Sequence, residues 1–442
     1  MKTNISFKAI NTLAVPATIA GIAEPLLSLT DTAIVGNIPV NGLESLAAAG
    51  IVGSFLSTLI WILGQTQSAI SALVSQHLGA GKINEVTILP AQAIFFNLVI
   101  SFIILVPCLV FTETIFTALE ASGTILAYCI SYFKIRIWGF PLTLFTFAVF
   151  GVFRGLQNTL YPMLIAIIGA LLNIVLDIIL VFGVDDLISP MHLEGAGYAS
   201  LIAQAVMAIL AGVLLVKKTK ISLQLRLPLH PKLGTLALMS ANLFIRSFAL
   251  NFALLLAVKE ATRLGDSSIG AHTIAINLWL FSAFFIDGYA TAGNILGGKL
   301  LGEKNYTNLW ALTKKVSVYG LLISLVLAGL SVLFYAPIGS LFSNNPDVLS
   351  KFNGMFFMLI IALPINAIAF ILDGLFKGLG EMKFLRNVLL FSTFIIFVPI
   401  IFISRAFSLN LVGIWLAFLG WMLARGFILM YQFRKKYRPM PV

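Results

Sequence analysis

Charge is what this sequence has least of. Lys, Arg, Asp and Glu make up 10% of its 442 residues, where a soluble chain carries about 25%, which excludes an ordinary water-soluble domain. Cysteine is nearly absent too, with two residues, Cys108 and Cys129, both in apolar surroundings; they read as buried small hydrophobes and exclude a disulfide scaffold. The four histidines, His77, His192, His230 and His272, are scattered without metal-ligand spacing. GAGK at Gly79 to Lys82 lacks the spacing and the following Ser or Thr of a phosphate loop, so an ATP-driven pump is not expected. No clustered catalytic set is visible, so neither an enzyme nor a cofactor is expected.

What is present is hydrophobic sequence, 60% of the chain. At about 20 apolar residues per crossing it divides into twelve expected spans: 9 to 36, 45 to 74, 87 to 112, 124 to 152, 160 to 184, 194 to 216, 233 to 262, 268 to 297, 309 to 335, 348 to 376, 385 to 405 and 409 to 433. The start, MKTNISFKAI, is charged like a signal peptide, but the run behind it is long, carries acids and has no small-residue cleavage site; it is kept as the first span. Net charge is +11. In a membrane protein this excess is tested first against the rule that basic loops stay inside. Lys2, Lys8, Lys82, Arg154, the 217–232 stretch, Lys299, Lys304, Lys314, Lys315, Lys377, Lys383, Arg386 and Arg434 to Arg438 fall on one side. Glu44, Glu113, Glu120, Asp185, Asp186, Glu194, Asp266 and Asp347 fall on the other. Both termini are therefore expected in the cytosol, in a multi-pass plasma-membrane protein with no nucleic-acid partner.

A shift of 223 positions brings out a duplication. Pro141, Phe147, Gly151, Phe153, Gly155 and Leu156 fall on Pro364, Phe370, Gly374, Phe376, Gly378 and Leu379, with Arg154 opposite Lys377. The expected architecture is an all-α integral membrane fold, twelve transmembrane helices in two parallel six-helix repeats related by a pseudo-two-fold axis along the membrane normal. Residues 1–216 form the N-terminal lobe, 217–232 a basic, proline-punctuated cytosolic linker, and 233–442 the C-terminal lobe. Such repeats place a substrate site between halves that rock to give alternating access.

Acids inside spans are costly, roughly 2.5 to 3.5 kcal/mol at a helix centre, and usually face a cavity or a partner. Asp31, in EPLLSLTDTAIVG, has Leu254 as its repeat counterpart; Asp177 has Ile400 and Asp373 has Phe150. These carboxylates stand outside the duplicated scaffold. Asn173 and Asp177 lie four apart, on one helical face, and both Asp177 and Asp31 fall late in outward-running spans. Two nearby carboxylates in a low dielectric cannot both ionise cheaply, so one is expected to carry a proton. Asn173 and Ser200 offer neutral oxygens to a proton network or a sodium ion. Pro25 removes one backbone hydrogen bond and is the expected hinge of the first span. Glu24, Asp287 and Asp373 are secondary candidates, Asp373 with Lys377 one turn on as a surface ion-pair alternative. Lys134, Arg136, Arg246 and Arg425, also inside spans, are expected to snorkel or pair with an acid. Most of the 36 phenylalanines are expected to face lipid or pack, and Gly50, Gly53, Gly293 and Gly297 to allow close helix approach.

DTAIVG ending span one, LNIVLDIILVFG in span five, FRGLQNT with its partner FKGLGEM, and GAGYAS opening span six together resemble the MATE (multidrug and toxic compound extrusion) transporters, DinF-type branch, over essentially the whole chain. The resemblance implies export of small, often cationic and amphipathic organic compounds in exchange for protons or sodium, with Asp31, Asn173 and Asp177 as the coupling site. Ser200 stands where a Thr is familiar. Related members place acids in the C-terminal half, which keeps Asp287 and Asp373 as candidates. No cofactor and no metal are expected beyond a coupling ion at Asp31, Asn173 and Asp177, and a monomer is expected in the lipid bilayer. The alternatives are a flippase for a lipid-linked precursor, or a membrane receptor or enzyme without transport.

Overall fold

A computed structural model describes residues 3–39, 41–82, 87–184 and 187–438. The side chains of Glu24, Pro25, Leu27, Ser28, Leu29 and Ala336 also lie outside what it describes. Among the described residues the regular structure is helical, joined by loops and turns, with one isolated bridge between Val184 and Ile188. In order come α1 (Phe7–Gly36), α2 (Gly42–Leu63), α3 (Thr66–Gly79), α4 (Leu89–Val110), α5 (Thr112–Ala118), α6 (Gly123–Arg136), α7 (Gly139–Gly155), α8 (Leu160–Phe182) and α9 (His192–Lys218). They are followed by α10 (Lys232–Arg263), α11 (Asp266–Gly302), α12 (Tyr306–Leu333), α13 (Tyr335–Ser340), α14 (Pro346–Gly378), α15 (Met382–Phe391), a π-helical turn (Ser392–Phe397), α16 (Val398–Ala406) and α17 (Asn410–Tyr437).

Among the described residues ten helical segments are long and apolar enough to cross a bilayer, and the bent pair α6 and α7 makes an eleventh. The 30-residue α1 adds a helix of roughly 45 Å at 1.5 Å per residue. Three expected continuous spans turn out to be interrupted. The span expected at 45 to 74 is broken between α2 and α3 at Gly64, where a Cβ would lie 2.8 Å from the Phe147 ring. The one at 124 to 152 bends by 45° between α6 and α7. There Gly139 weakens the helix and Pro141 has no N–H for the carbonyl of Ile137. The one at 385 to 405 contains the π-helical turn, just ahead of Pro399, which leaves the carbonyl of Ile395 without its helical donor. Periodicity registers apolar length and is blind to such local breaks.

Helix ends recur at the same 223-residue shift. Gly123 to Gly155 in the first copy corresponds to Pro346 to Gly378 in the second, and the short α5 and α13 fall at matching places. By backbone proximity the chain divides into two compact units.

The first unit is Ile19–Val74 with Lys82–Leu238. In it α7 packs on α4 and α9, α8 on α9, and α6 on α2 and α9. Phe55, Phe116 and Phe133 join α2, α5 and α6 by edge-on ring contacts at 5.0 to 6.0 Å, the preferred aromatic geometry. The 217–232 stretch is tied down by Gln92 at the start of α4, which donates to the carbonyls of Arg226 at 2.8 Å and Pro228 at 3.3 Å and accepts from the His230 amide at 2.7 Å. Cys108 and Cys129 are both buried and free. Neither thiol is expected to react with a membrane-impermeant maleimide until the protein is denatured, when both should; stoichiometric labelling of the native protein would contradict their placement.

The second unit is Met1–Thr18, Ser75–Gly81 and Met239–Val442. Its axis is α14, packed against α11, α12 and α17. One apolar cluster gathers Phe352, Phe356, Phe397, Trp415, Phe418 and Trp421; the other gathers Ile295, Leu300, Leu375, Phe376, Phe433 and Tyr437 with Ile10 and Leu13 of α1. The repeated glycines have one structural role. A Cβ at Gly374 or Gly378 would fall onto the backbone of Ala290 or Asn294 in α11. In the first unit a Cβ at Gly151 would lie 2.6 Å from the Gln67 carbonyl oxygen of α3, and one at Gly155 2.5 Å from Val74 Cβ.

Candidate functional site

The buried seam of α8 reads Pro162, Ile165, Gly169, Asn173, Asp177 and Val181, spaced by three or four residues, while Leu171, Val175 and Ile178 lie on its exposed face. Asn173 and Asp177 are therefore held away from lipid by the same periodicity that buries the apolar side chains around them. Asp177 is 0% exposed. Asp31, in the next-to-last turn of α1, is half-buried. The Asn173 side-chain NH2 group joins the two acids, donating to Asp31 Oδ1 at 3.2 Å and to Asp177 Oδ2 at 2.5 Å. The other Asp177 oxygen, Oδ1, is buried and meets no donor. A buried acceptor left in that state is costly, and a proton carried between the two carboxyls would remove the cost.

This cluster opens on a cavity of about 200 Å³ within the first unit. Asp31, Asn173, Arg136, Thr143, Thr146 and Gln204 supply its polar lining, and Tyr132, Phe140, Phe147, Phe150 and Met207 its apolar lining. Arg136 stacks on the Tyr132 ring at 5.8 Å, and its charge acts on both Asp31 and Asp177. Its Nε is buried with no acceptor. The sequence named Arg136 only as a residue that snorkels or pairs. Its four-residue spacing from Tyr132 was the available sign that both share one face.

The other candidates fall elsewhere. Ser200 is buried on α9, its hydroxyl without a partner among the described residues, and no hydrogen bond joins it to Asp31, Asn173 or Asp177. Asp287 is exposed on α11. Glu24 and the expected hinge Pro25 lie outside the described residues. Asp373 departs most from expectation. The surface pair with Lys377 is instead a buried group: Asp373, 5% exposed, meets Arg246 of α10 at 2.6 Å, Lys377 at 3.3 Å and Arg425 of α17 at 3.5 Å. Arg246 and Arg425 thus pair with an acid, as intramembrane arginines were expected to.

The sequence profile of the MatE family matches residues 16–179 and 243–403, one segment in each repeat. Among similar proteins, Protein DETOXIFICATION 43 of Arabidopsis thaliana is 27% identical over 299 residues, which cover 66% of this chain and 54% of that protein. This chain therefore matches about half the length of that plant relative. DNA damage-inducible protein F of Escherichia coli (strain K12) is 26% identical over 460 residues, covering 98% of this chain and 93% of that one. In three dimensions a crystal structure of MATE in the bent conformation superposes with a TM-score of 0.90 at 21% identity, covering 97% of this chain and 95% of that chain. At that identity the superposition establishes the all-helical fold; the profile establishes the lineage. With the same family profile matched once in each repeat, over most of the chain, the chain belongs to the MatE family.

Proposed function

We propose that this protein is a secondary active exporter, multi-pass in the plasma membrane with both termini in the cytosol, that expels cationic or amphipathic organic compounds as a monomer in exchange for protons. Residues 1–216 and 233–442 serve as its two lobes and 217–232 as the link between them. One observation carries the reading: a single amide, Asn173, holds the carboxyls of Asp31 and Asp177 together at the wall of a cavity. Two carboxylates so close repel each other when both are ionised. A proton taken from outside relieves that repulsion and supplies the donor that Asp177 Oδ1 lacks. A cationic substrate draws on the same negative charge, so proton and substrate compete, and competition for one site is the thermodynamic content of antiport.

A proton is favoured over sodium because Asn173 turns its NH2 toward both acids and so offers no oxygen to a hard cation there. In this mechanism the loss of charge at Asp31 lets α1 bend near Pro25, and Ser200 contributes its unpartnered hydroxyl to the proton network. Proteoliposomes loaded with a fluorescent organic cation test the reading under an imposed pH gradient and then a sodium gradient. The pH gradient alone should drive transport. Movement driven by sodium alone, or by neither gradient, would contradict it.

A further inference from the structure

The charge group in the second unit does not balance. Three cations, Arg246, Lys377 and Arg425, surround one carboxylate, Asp373. Among the described residues Asp373 is the acid with which all three pair, and no other acid forms an ion pair with any of them. Arg425 is 1% exposed and shares its one acid with two other cations, an expensive arrangement for a buried guanidinium. Several donors are also idle. Arg246 Nε is buried with no acceptor. Arg425 Nη1 donates at 3.1 Å to the sulfur of Met422, a weak acceptor, while its guanidinium lies over Trp421 at 5.2 Å and Phe370 at 5.8 Å. Asn366, two turns before Asp373 on α14, is buried with both amide atoms unpartnered.

The duplication gives this group its setting. Ala23, Thr143, Phe147 and Phe150 line the cavity of the first unit. A shift of 223 positions puts Arg246, Asn366, Phe370 and Asp373 in their places. The positions that line a mostly apolar cavity in one repeat hold a buried, cationic, aromatic-flanked cluster in the other.

We propose that Arg246, Arg425 and Lys377 form a binding site for the carboxylate of a small organic compound, with Phe370 and Trp421 beside its flat body. The site would then select zwitterionic or carboxylate-bearing compounds among those exported; in this it rests on the exporter reading. A guanidinium offers a planar fork that fits a carboxylate with two parallel hydrogen bonds. Two surplus positive charges beside Asp373 can hold a carboxylate even while Asp373 keeps one arginine.

The test compares rhodamine B with its ethyl ester, which keeps the cationic ring system and removes the carboxylate. Fluorescence anisotropy with the purified full-length protein in detergent, empty micelles subtracted, should give about tenfold tighter binding of the carboxylate form, the value of one charge-assisted hydrogen bond. Arg246→Gln should bring the ratio close to one by weakening binding of the carboxylate form relative to the ester. Asp373→Asn, which removes the competing anion, should raise the ratio, whereas a site for cations would respond with weaker ester binding. Equal affinity of the wild type for both dyes, or a preference that survives Arg246→Gln, overturns the carboxylate site while leaving the exporter reading standing. Failure to bind either dye counts against both.

Discussion

Replacing Asp31 or Asp177 by Asn is expected to reduce pH-gradient-driven efflux to the level of empty vesicles while leaving a folded protein. Asn keeps the shape and the hydrogen-bonding oxygen of Asp but cannot take up a proton. At Asp177 it still accepts from the Asn173 NH2, now 2.5 Å from Oδ2, and it can offer its own NH2 to the neighbouring carboxyl. Removing a buried charge from an apolar helix also relieves a desolvation cost of a few kcal/mol, so thermal stability should hold or rise. Loss of transport with stability retained is the signature of a coupling residue. The measurement is efflux of a fluorescent cation beside a melting curve of each variant. Unchanged proton-dependent efflux in both variants would remove the pair from the mechanism.

A valine at Gly374 is expected to abolish accumulation of folded protein. A bare Cβ at that position already overlaps the Ala290 carbonyl, so the branched side chain must push α14 off α11, the most extensive helix pairing in the second unit. Overpacking costs about 1 to 3 kcal/mol where side chains can move aside; here the obstacle is backbone, and the cost is expected to exceed that range. Gly151→Val should behave alike in the first unit, against Gln67 of α3. Gly50 and Gly53, beside which a Cβ meets nothing within 4 Å, should accept Ala with little change. Size-exclusion profiles of the four variants check this, and monodisperse Gly374→Val would contradict it. The contrast also corrects a sequence expectation: Gly50 and Gly53 are not positions of close helix approach.

Much of the architecture was legible because a membrane forces apolar length onto each crossing and because the repeat preserved prolines and glycines where helices touch. The shift that aligned Pro141 with Pro364 also aligned the ends of α7 and α14. What stayed hidden was local or relational. Pro141 follows a break between α6 and α7, whereas Pro364 sits inside the unbroken α14; the same residue does both, and Gly139, whose repeat counterpart is Ala362, separates the two cases. At the site, the spacing of Asn173 and Asp177 placed them on one face, and Asp31 was drawn to them by its depth in its span and by the resemblance to the MATE transporters. Arg136 had no such sign of partnership. The group at Asp373 was misjudged because Lys377, one turn away, is visible in sequence, while Arg246 and Arg425 lie 127 and 52 residues distant and only the fold brings them to the same carboxylate.

The central claim is that Asp31 and Asp177 hold an exchangeable proton that substrate displaces. It is tested most directly by mixing the purified protein with an organic cation in weakly buffered solution containing a pH indicator. The account predicts proton release by the wild type, saturating with substrate binding, and none by the Asp31→Asn/Asp177→Asn variant. Release of the same size from the double variant, or substrate binding by the wild type with no release, would contradict it.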